Sequence, residues 1–118
     1  MKLDRLKATG MDLTDGIRAA IDRVMENLDK YIDKFGEAVS ANVEVEKTTQ
    51  HHQKGQIFRA EINVSVPQKG LLRVEETDED LYVAIDKMEE SISRELRRLK
   101  ERFTESQQSP GIREEKAD

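Results

Sequence analysis

The sequence predicts an α+β fold with the element order βαβββα, in which two helices cover one face of a four-stranded sheet. Two stretches have the three-and-four apolar spacing of amphipathic helices, and two others alternate between apolar and polar residues like half-buried strands. The length of 118 residues suits one domain. Because 36% of the residues are hydrophobic and periodic, the chain is not a disordered acidic segment.

The first strand and the first helix are predicted within residues 3–35. Residues 3–8 are short and mixed and are expected to form a strand, with Gly10 as a breaker. Thr14 is a good N-cap for the helix that follows. The apolar positions of this helix are Ile17, Ala20, Ile21, Val24, Met25, Leu28, Ile32 and Phe35. Gly36 is expected to end it.

A change of period from 3.6 to two marks the central strands. Apolar and polar residues alternate over residues 39–46 and again over residues 58–66. The polar residues 47–56 between them are expected to form a hairpin loop, which makes the two strands antiparallel. After a turn at residues 67–70, residues 71–76 are predicted to form a fourth, shorter strand.

The last helix is predicted to be longer than the sheet that it covers. Thr77 or Asp78 is expected to cap it, and the apolar spacing continues from Leu81 to Phe103. With its capping turn this helix has about 26 residues and spans about 39 Å at 1.5 Å per residue, so its last turns are expected to project beyond the strands. Residues 1–103 are therefore predicted to form the domain and residues 104–118 a disordered tail.

The first strand–helix–strand unit is expected to be a right-handed crossover. Both helices then lie on the same face of the sheet. The opposite face is expected to face water. It carries Ser40, Asn42, Glu44, Arg59, Glu61 and Asn63.

The composition excludes several classes of protein. The chain has no cysteine, which removes disulfides, thiolate metal sites and thiol nucleophiles, and a reducing cytoplasm is the expected location. No apolar run approaches a membrane span, and no signal peptide is expected from the first residues. The formal net charge of −5 argues against a general nucleic-acid binder, which is usually basic.

This net charge hides a separation of signs on both helices. On the first helix, Arg23, Lys30 and Lys34 fall on one flank, and the acidic residues fall on the other. On the second helix, one flank carries Lys87, Arg94, Arg98 and Arg102, and Arg97 and Lys100 lie further round. Residues 94–102 contain five basic and two acidic residues.

The charge pattern has two interpretations. Cations on rigid helices can contact the phosphates of an RNA backbone. Alternatively, the helices are simply solvated, with i,i+4 ion pairs such as Glu90–Arg94. The pattern alone leaves both interpretations open.

Signals of catalysis are weak throughout the sequence. His51 and His52 are adjacent in the predicted loop, without the i,i+4 spacing or acidic third ligand of a metal site. Nucleotide-binding and nucleophile motifs are missing, so a non-enzymatic protein without metal or cofactor is predicted. The aromatic residues are expected to pack in the core rather than to stack on bases. They are Tyr31, Phe35, Phe58, Tyr82 and Phe103.

Four motifs in order resemble the ribosome hibernation promoting factor and ribosome-associated inhibitor A family, in its short form. The motifs are Thr14-Asp15 with Leu28-Asp29-Lys30-Tyr31, GLLRVEE at 70–76, DEDLYVAID at 78–86 and ISRELRRLK at 92–100. The resemblance covers residues 3–103. It implies a βαβββα fold similar to double-stranded-RNA-binding domains.

The resemblance also implies a function. Members of this family dock on the small ribosomal subunit, in the channel used by mRNA and tRNA, and block translation sterically under starvation or in stationary phase. Their basic residues contact ribosomal RNA. By position or by helix face, the predicted contacts here are Arg23, Lys30, Lys34, Lys87, Arg94, Arg97, Arg98, Lys100 and Arg102. The resemblance further implies a cytoplasmic monomer when free, with no membrane partner and no small-molecule substrate.

The chain departs from the family pattern at Val24, Asn27 and Ser91, where basic residues are usual. Lysine at these positions is predicted to tighten ribosome binding. The departures also favour a second hypothesis, a divergent protein-interaction module of the same fold. A third hypothesis, an independent binder of double-stranded RNA, is weakened by the acidic start of the second helix.

Overall fold

A computed structural model describes residues 1–35, 38–48 and 57–108, with the backbone alone at Lys34 and residues 103–108. Its elements are β1 (Lys2–Thr9), α1 (Asp15–Leu28), β2 (Ser40–Thr48), β3 (Ile57–Val66), β4 (Gly70–Asp78) and α2 (Leu81–Gln108). Two 3-10 turns, Asp29–Tyr31 and Asp33–Phe35, follow α1. The predicted α+β fold and its βαβββα order are confirmed.

The four strands form one mixed sheet in the order β1-β2-β3-β4. β1 runs parallel to β2, whereas β2, β3 and β4 are successively antiparallel. The β2–β3 ladder pairs Ser40 with Ser65 at one end and Thr48 with Ile57 at the other, which confirms the predicted antiparallel pair. A parallel β1–β2 pair needs a crossover connection, and α1 lies in it.

The core lies between one face of the sheet and the two helices. The strands supply the inward residues of the alternating pattern, including Val43, Val45, Ile62 and Val64. The helices supply the apolar positions at three-and-four spacing. The largest fully buried ones on the helices are Ile21, Leu28, Ile85, Met88, Ile92 and Leu96. The predicted helix faces are therefore the buried ones.

The start of α1 agrees with its prediction, but its end does not. The Thr14 hydroxyl accepts a hydrogen bond from the Ile17 amide at 3.1 Å, as expected of an N-cap. The α-helix ends at Leu28 rather than at residue 35, and 3-10 turns carry the chain onward. Their bonds join Ile32 N to Asp29 O at 3.1 Å and Phe35 N to Ile32 O at 2.9 Å. Because these turns still bury Ile32, the apolar spacing could not reveal the change of helix type.

The predicted cap of α2 is also wrong. Asp78 pairs with Phe58 in the β3–β4 ladder, so it belongs to β4, which has nine residues and is not short. Asp80 is the N-cap instead, and its carboxylate accepts a hydrogen bond from the Tyr82 amide at 2.9 Å. The Asp78 carboxylate accepts a hydrogen bond of 2.9 Å from the Asp80 amide, which stabilises the connection between β4 and α2.

α2 is longer than the sheet, as predicted. Its 28 residues span about 42 Å, whereas a nine-residue strand spans about 30 Å. The helix continues past the predicted boundary at residue 103 to Gln108. Gly36, most of the predicted hairpin loop and residues 109–118 lie outside the described residues. Within the described part, no helix is both long and apolar enough to span a membrane.

The Thr14 cap gives a direct test of how α1 begins. We expect Thr14→Ala to lower the free energy of unfolding by about 1 kcal/mol, because one helix amide loses its acceptor. This loss corresponds to a fall in Tm of roughly 4 °C for a chain of 118 residues. Thr14→Ser keeps the hydroxyl and should stay within about 0.5 kcal/mol of the original protein in urea unfolding. Equal losses in both variants would contradict the capping role.

Candidate nucleic-acid interface

A groove runs between the first 3-10 turn and the outer surface of α2. Its volume is about 520 Å³. The residues that line it include Tyr31, Asp86, Glu89, Glu90, Arg94 and Arg97. We call it the interhelical groove. Of the predicted RNA-binding residues, Arg94 and Arg97 of α2 line it, and Lys30 lies beside it through its contact with Tyr31.

Four of the predicted cations lie in or beside this groove. The Lys30 ammonium is 5.1 Å from the centre of the Tyr31 ring, a cation–π distance. Lys100 Nζ donates a hydrogen bond of 3.4 Å to the Lys30 carbonyl, which ties the 3-10 turn to α2. Arg94 and Arg97 are exposed, and neither forms a hydrogen bond or an ion pair with any residue that the structure describes. Their guanidinium groups are therefore available to a ligand.

The other predicted cations lie elsewhere. Lys87 is on the β4 side of α2, where its ammonium contacts Asp78 at 3.0 Å. Arg98 pairs with Glu95 at 3.0 Å. Arg23 and Arg102 are exposed on their helices, and the side chain of Lys34 lies outside the described residues. The cations predicted on one flank of α2 therefore differ in whether a carboxylate already binds them: Lys87 and Arg98 are paired, and Arg94 is not paired with any described residue.

The ion pairs on α2 test the interpretation that the helices are simply solvated and carry i,i+4 ion pairs. Among the described residues, Glu90 and Arg94 form no ion pair, and the ion pair found within α2 is the i,i+3 pair of Glu95 with Arg98. Arg94 is therefore not neutralised in the way that this interpretation expected. The groove is nevertheless mixed in sign, because Asp86, Glu89 and Glu90 line it as well.

The three departures from the basic pattern have different environments. Val24 is 2% exposed and belongs to the core, so the expectation that lysine there tightens binding is corrected. Ser91 donates a hydrogen bond of 2.7 Å to Glu76 on β4. Asn27 lies on α1 beside the interhelical groove and donates to Glu89 at 2.9 Å. Of the three positions, Asn27 is the one whose side chain reaches a residue that lines the groove.

The aromatic residues do not all behave as predicted. Phe35 and Phe58 are half-buried against the core, as expected. Tyr31 also packs on the core, but it lines the interhelical groove as well. Tyr82 is 48% exposed, so its prediction as a packing residue is wrong. The side chain of Phe103 lies outside the described residues.

A second charged surface occupies the open face of the sheet. Arg59 contacts Glu44 at 3.0 Å, Glu46 at 2.7 Å and Glu75 at 3.6 Å, and it also pairs with Glu61. Arg73 on β4 binds both Glu61 and Glu75. We call these charged side chains the sheet-face network. The alternation of strand residues predicted that Glu44, Arg59 and Glu61 face outward. It did not place Arg73 and Glu75 on this face, and it did not predict that these side chains bind one another.

The sheet-face network shifts the titration of its members. Hydrogen bonds from Arg73, Arg59 and Asn63 lower the pKa of Glu61 to about 2, against the opposing effect of burial. The pKa of Glu44 is lowered mainly by a hydrogen bond from Thr9, whose hydroxyl lies 2.6 Å away. Burial alone would lower the pKa of Arg59, but its bonds to glutamates raise it. These charges therefore persist at neutral pH.

The two charged surfaces differ in what they offer to an anion. In the sheet-face network four glutamates surround two arginines, and its arginines are already bound. In the interhelical groove two arginines have no partner among the described residues. The candidate nucleic-acid interface is therefore the helical side. Within the described residues no group of three acidic or histidine side chains could hold a metal ion, and His51 and His52 lie outside that part.

Comparison with protein-family models gives a match over residues 5–104, to the family described as Sigma 54 modulation protein / S30EA ribosomal protein. Among curated proteins, the chain is 33% identical over 99 residues to a ribosome hibernation promotion factor of Lactococcus lactis. That alignment covers 83% of this chain and 49% of the relative. A ribosome hibernation promotion factor of Deinococcus radiodurans is 28% identical, with 92% and 54% covered. The chain thus spans about half the length of these relatives.

Among solved structures, the fold is similar to the N-terminal domain of Protein Y from Thermus thermophilus. The TM-score is 0.70 and the sequence identity is 35%. The match covers 83% of this chain and 98% of that domain. The described fold therefore corresponds to a whole domain of known architecture.

The pKa of Glu61 gives a test of the sheet-face network. The folded pKa of about 2 lies below the ordinary 4.5, so ionised Glu61 stabilises the fold above pH 4.5. This contribution is lost as the pH falls from 4.5 through 2. We expect Glu61→Gln to cost about 1–2 kcal/mol at pH 7 and much less at pH 2.5, as measured by urea unfolding at both values. A cost that does not change with pH would contradict this assignment.

Proposed function

The chain belongs to the Sigma 54 modulation protein / S30EA ribosomal protein family, and from this membership we propose that it binds the ribosome and holds it inactive. The resemblance predicted from the four motifs is confirmed by this match. The curated relatives are named ribosome hibernation promotion factors. Since this chain spans about half of their length, the proposal concerns the function of this domain.

We further propose that the domain occupies the mRNA–tRNA channel of the small subunit and excludes both ligands sterically. The observation that carries this proposal is the unpartnered state of Arg94 and Arg97 at the interhelical groove. Guanidinium groups match the oxygens of phosphate in a forked geometry. Placed on one helix and beside Tyr31, the ring that Lys30 contacts, they can bind ribosomal RNA without first breaking an ion pair with a described residue.

The remaining predicted cations have secondary parts in this proposal. Arg23 and Arg102 extend the exposed basic surface. Lys87 and Arg98 would have to release carboxylates before they could contact phosphate. Lys100 supports the 3-10 turn that carries Lys30 and Tyr31. The mechanism needs no catalysis or cofactor, and the site of action would be the cytoplasm, on idle ribosomes during starvation or stationary phase.

A second candidate function is a protein-interaction module that does not bind the ribosome. The observation that favours it is the presence of Asp86, Glu89 and Glu90 in the same groove as the arginines. These carboxylates would weaken a purely electrostatic RNA contact. Salt dependence separates the two functions, because counterion release makes RNA binding fall steeply with salt concentration.

Reversing one groove charge tests the ribosome-binding surface. We expect Arg94→Glu and Arg97→Glu each to weaken co-sedimentation with small subunits in sucrose gradients by about tenfold or more, because a phosphate contact becomes a repulsion. The matched control is Arg18→Glu, which is the same charge change on an exposed residue of α1. Arg18 lies about 140° around α1 from Arg23 and should have a small effect.

The salt series completes this test. Replacing both groove arginines by alanine should reduce the slope of log affinity against log salt by about two. Equal effects of Arg94→Glu and Arg18→Glu would show that net charge, rather than the groove, governs binding. A flat salt dependence of the original protein would favour the protein-interaction module.

The position of Asn27 allows a gain-of-function test. Asn27→Lys adds a cation beside the interhelical groove, and we expect it to tighten small-subunit binding several-fold at low salt and to steepen the salt slope by about one. Val24→Lys adds the same charge inside the core and should instead destabilise the fold by several kcal/mol. Sedimentation and thermal unfolding of both variants would check this. Weaker binding by a folded Asn27→Lys protein would contradict the proposed surface.

A further inference from the structure

We propose that the interhelical groove receives one unpaired nucleotide, whose base stacks on Tyr31 and whose phosphate lies between Arg94 and Arg97. The inference rests on the proposed function and deepens it, because it names the class of RNA that this surface recognises. The groove volume of about 520 Å³ falls in the usual range of small-molecule sites, about 300–1,000 Å³. A base held in a duplex is unable to enter such a groove, so the ligand is single-stranded or bulged RNA.

Tyr31 supplies the aromatic surface. Its ring is half-buried against the core, which holds it in place, and part of it lines the groove. The exposed Lys30 side chain places its ammonium over the ring, 5.1 Å from the ring centre, so this face of the ring can be reached from solvent and a stacking base would replace the ammonium there. Stacking of a base on an aromatic ring contributes about 1–3 kcal/mol.

The carboxylates of the groove indicate which bases fit. Asp86 and Glu90 line it, and neither has a hydrogen-bond or ion-pair partner among the described residues. Carboxylates repel phosphate but accept hydrogen bonds from the amino group of a base, as they do from cytosine N4. Uracil has no exocyclic amino group and offers a single ring N3–H as a donor, whereas the cytosine amino group offers two hydrogens. The groove is therefore suited to an amino-bearing base, and cytosine is preferred over uracil among the pyrimidines.

The experiment compares the hexaribonucleotides C6 and U6, which match in length, charge and ring size. Binding of each labelled RNA to the full chain is measured by fluorescence anisotropy at low salt. We expect C6 to bind at least about threefold more tightly than U6, which corresponds to the lower end of the net contribution of one hydrogen bond. Equal affinities for the two hexamers would overturn the base preference.

A variant without the two carboxylates shows whether they recognise the base by hydrogen bonds or only repel the phosphates. In Asp86→Ala/Glu90→Ala, we expect U6 to bind more tightly because repulsion is removed, whereas C6 gains less because it loses an acceptor. The ratio of the two affinities should approach one. A variant that gains equally for C6 and U6 would show that the carboxylates only repel RNA, and it would overturn their assignment.

The ring is tested by substitution and by spectroscopy. Tyr31→Leu should weaken C6 binding at least about fivefold, and Tyr31→Phe, which keeps the ring, should recover most of this loss. Tyr82→Leu is the matched control, because Tyr82 is exposed and lies outside the groove.

The chain has two tyrosines, so ring resonances in NMR spectra of the unmodified protein give a readout without mutation. C6 should shift those of Tyr31 and not those of Tyr82, and the reverse would overturn the site.

These outcomes can be separated from failure of the proposed function. If small-subunit binding depends on Arg94 but Tyr31 does not respond to C6, the nucleotide groove is wrong and the proposed function stands. If Tyr31 and C6 behave as expected but small-subunit binding is insensitive to Arg94 and salt, the ribosomal role is wrong and the groove remains an RNA site.

Discussion

The parallel pairing of β1 with β2 is the constraint on which the rest of the structure depends. Parallel neighbours need a long connection, so α1 has to cross one face of the sheet. The antiparallel order of the remaining strands then delivers α2 to the same face. Because the two helices share one core, their outer surfaces meet beside the first 3-10 turn. The interhelical groove exists for this reason, and its side chains come from segments that are far apart in sequence.

The same arrangement separates two electrostatic environments that the formal net charge of −5 averages. On the open sheet face, the glutamates surround arginines and bind them, so this surface is acidic and internally satisfied. On the helical face, Arg94 and Arg97 project from α2 without partners among the described residues. An anionic polymer therefore meets repulsion on one side of the sheet and open donors on the other. Composition alone could not show this difference, because it does not say which charges are already paired.

Periodicity predicted what depends on residues near one another in sequence. The alternation around Val43 and Ile62 placed the core face of the sheet, and Thr14 was identified as a cap from its position before the apolar repeat. Periodicity does not predict contacts between side chains on different elements. The bond from Asn27 to Glu89 and the tie of Lys100 to the 3-10 turn depend on how two helices approach. The end of α1 at Leu28 was missed because a 3-10 turn preserves the same apolar spacing.

The contact between Lys100 and the Lys30 carbonyl has a consequence for how this surface can vary during evolution. The acceptor is a backbone oxygen, and every amino acid supplies one. This bond therefore does not depend on the size or charge of the side chain at position 30, which can change without detaching the turn from α2. Position 100 has no such freedom, because the donor is its own ammonium group. The two lysines look equivalent in the sequence. The side chain of Lys30 contributes to the chemistry of the surface, whereas that of Lys100 holds the 3-10 turn against α2.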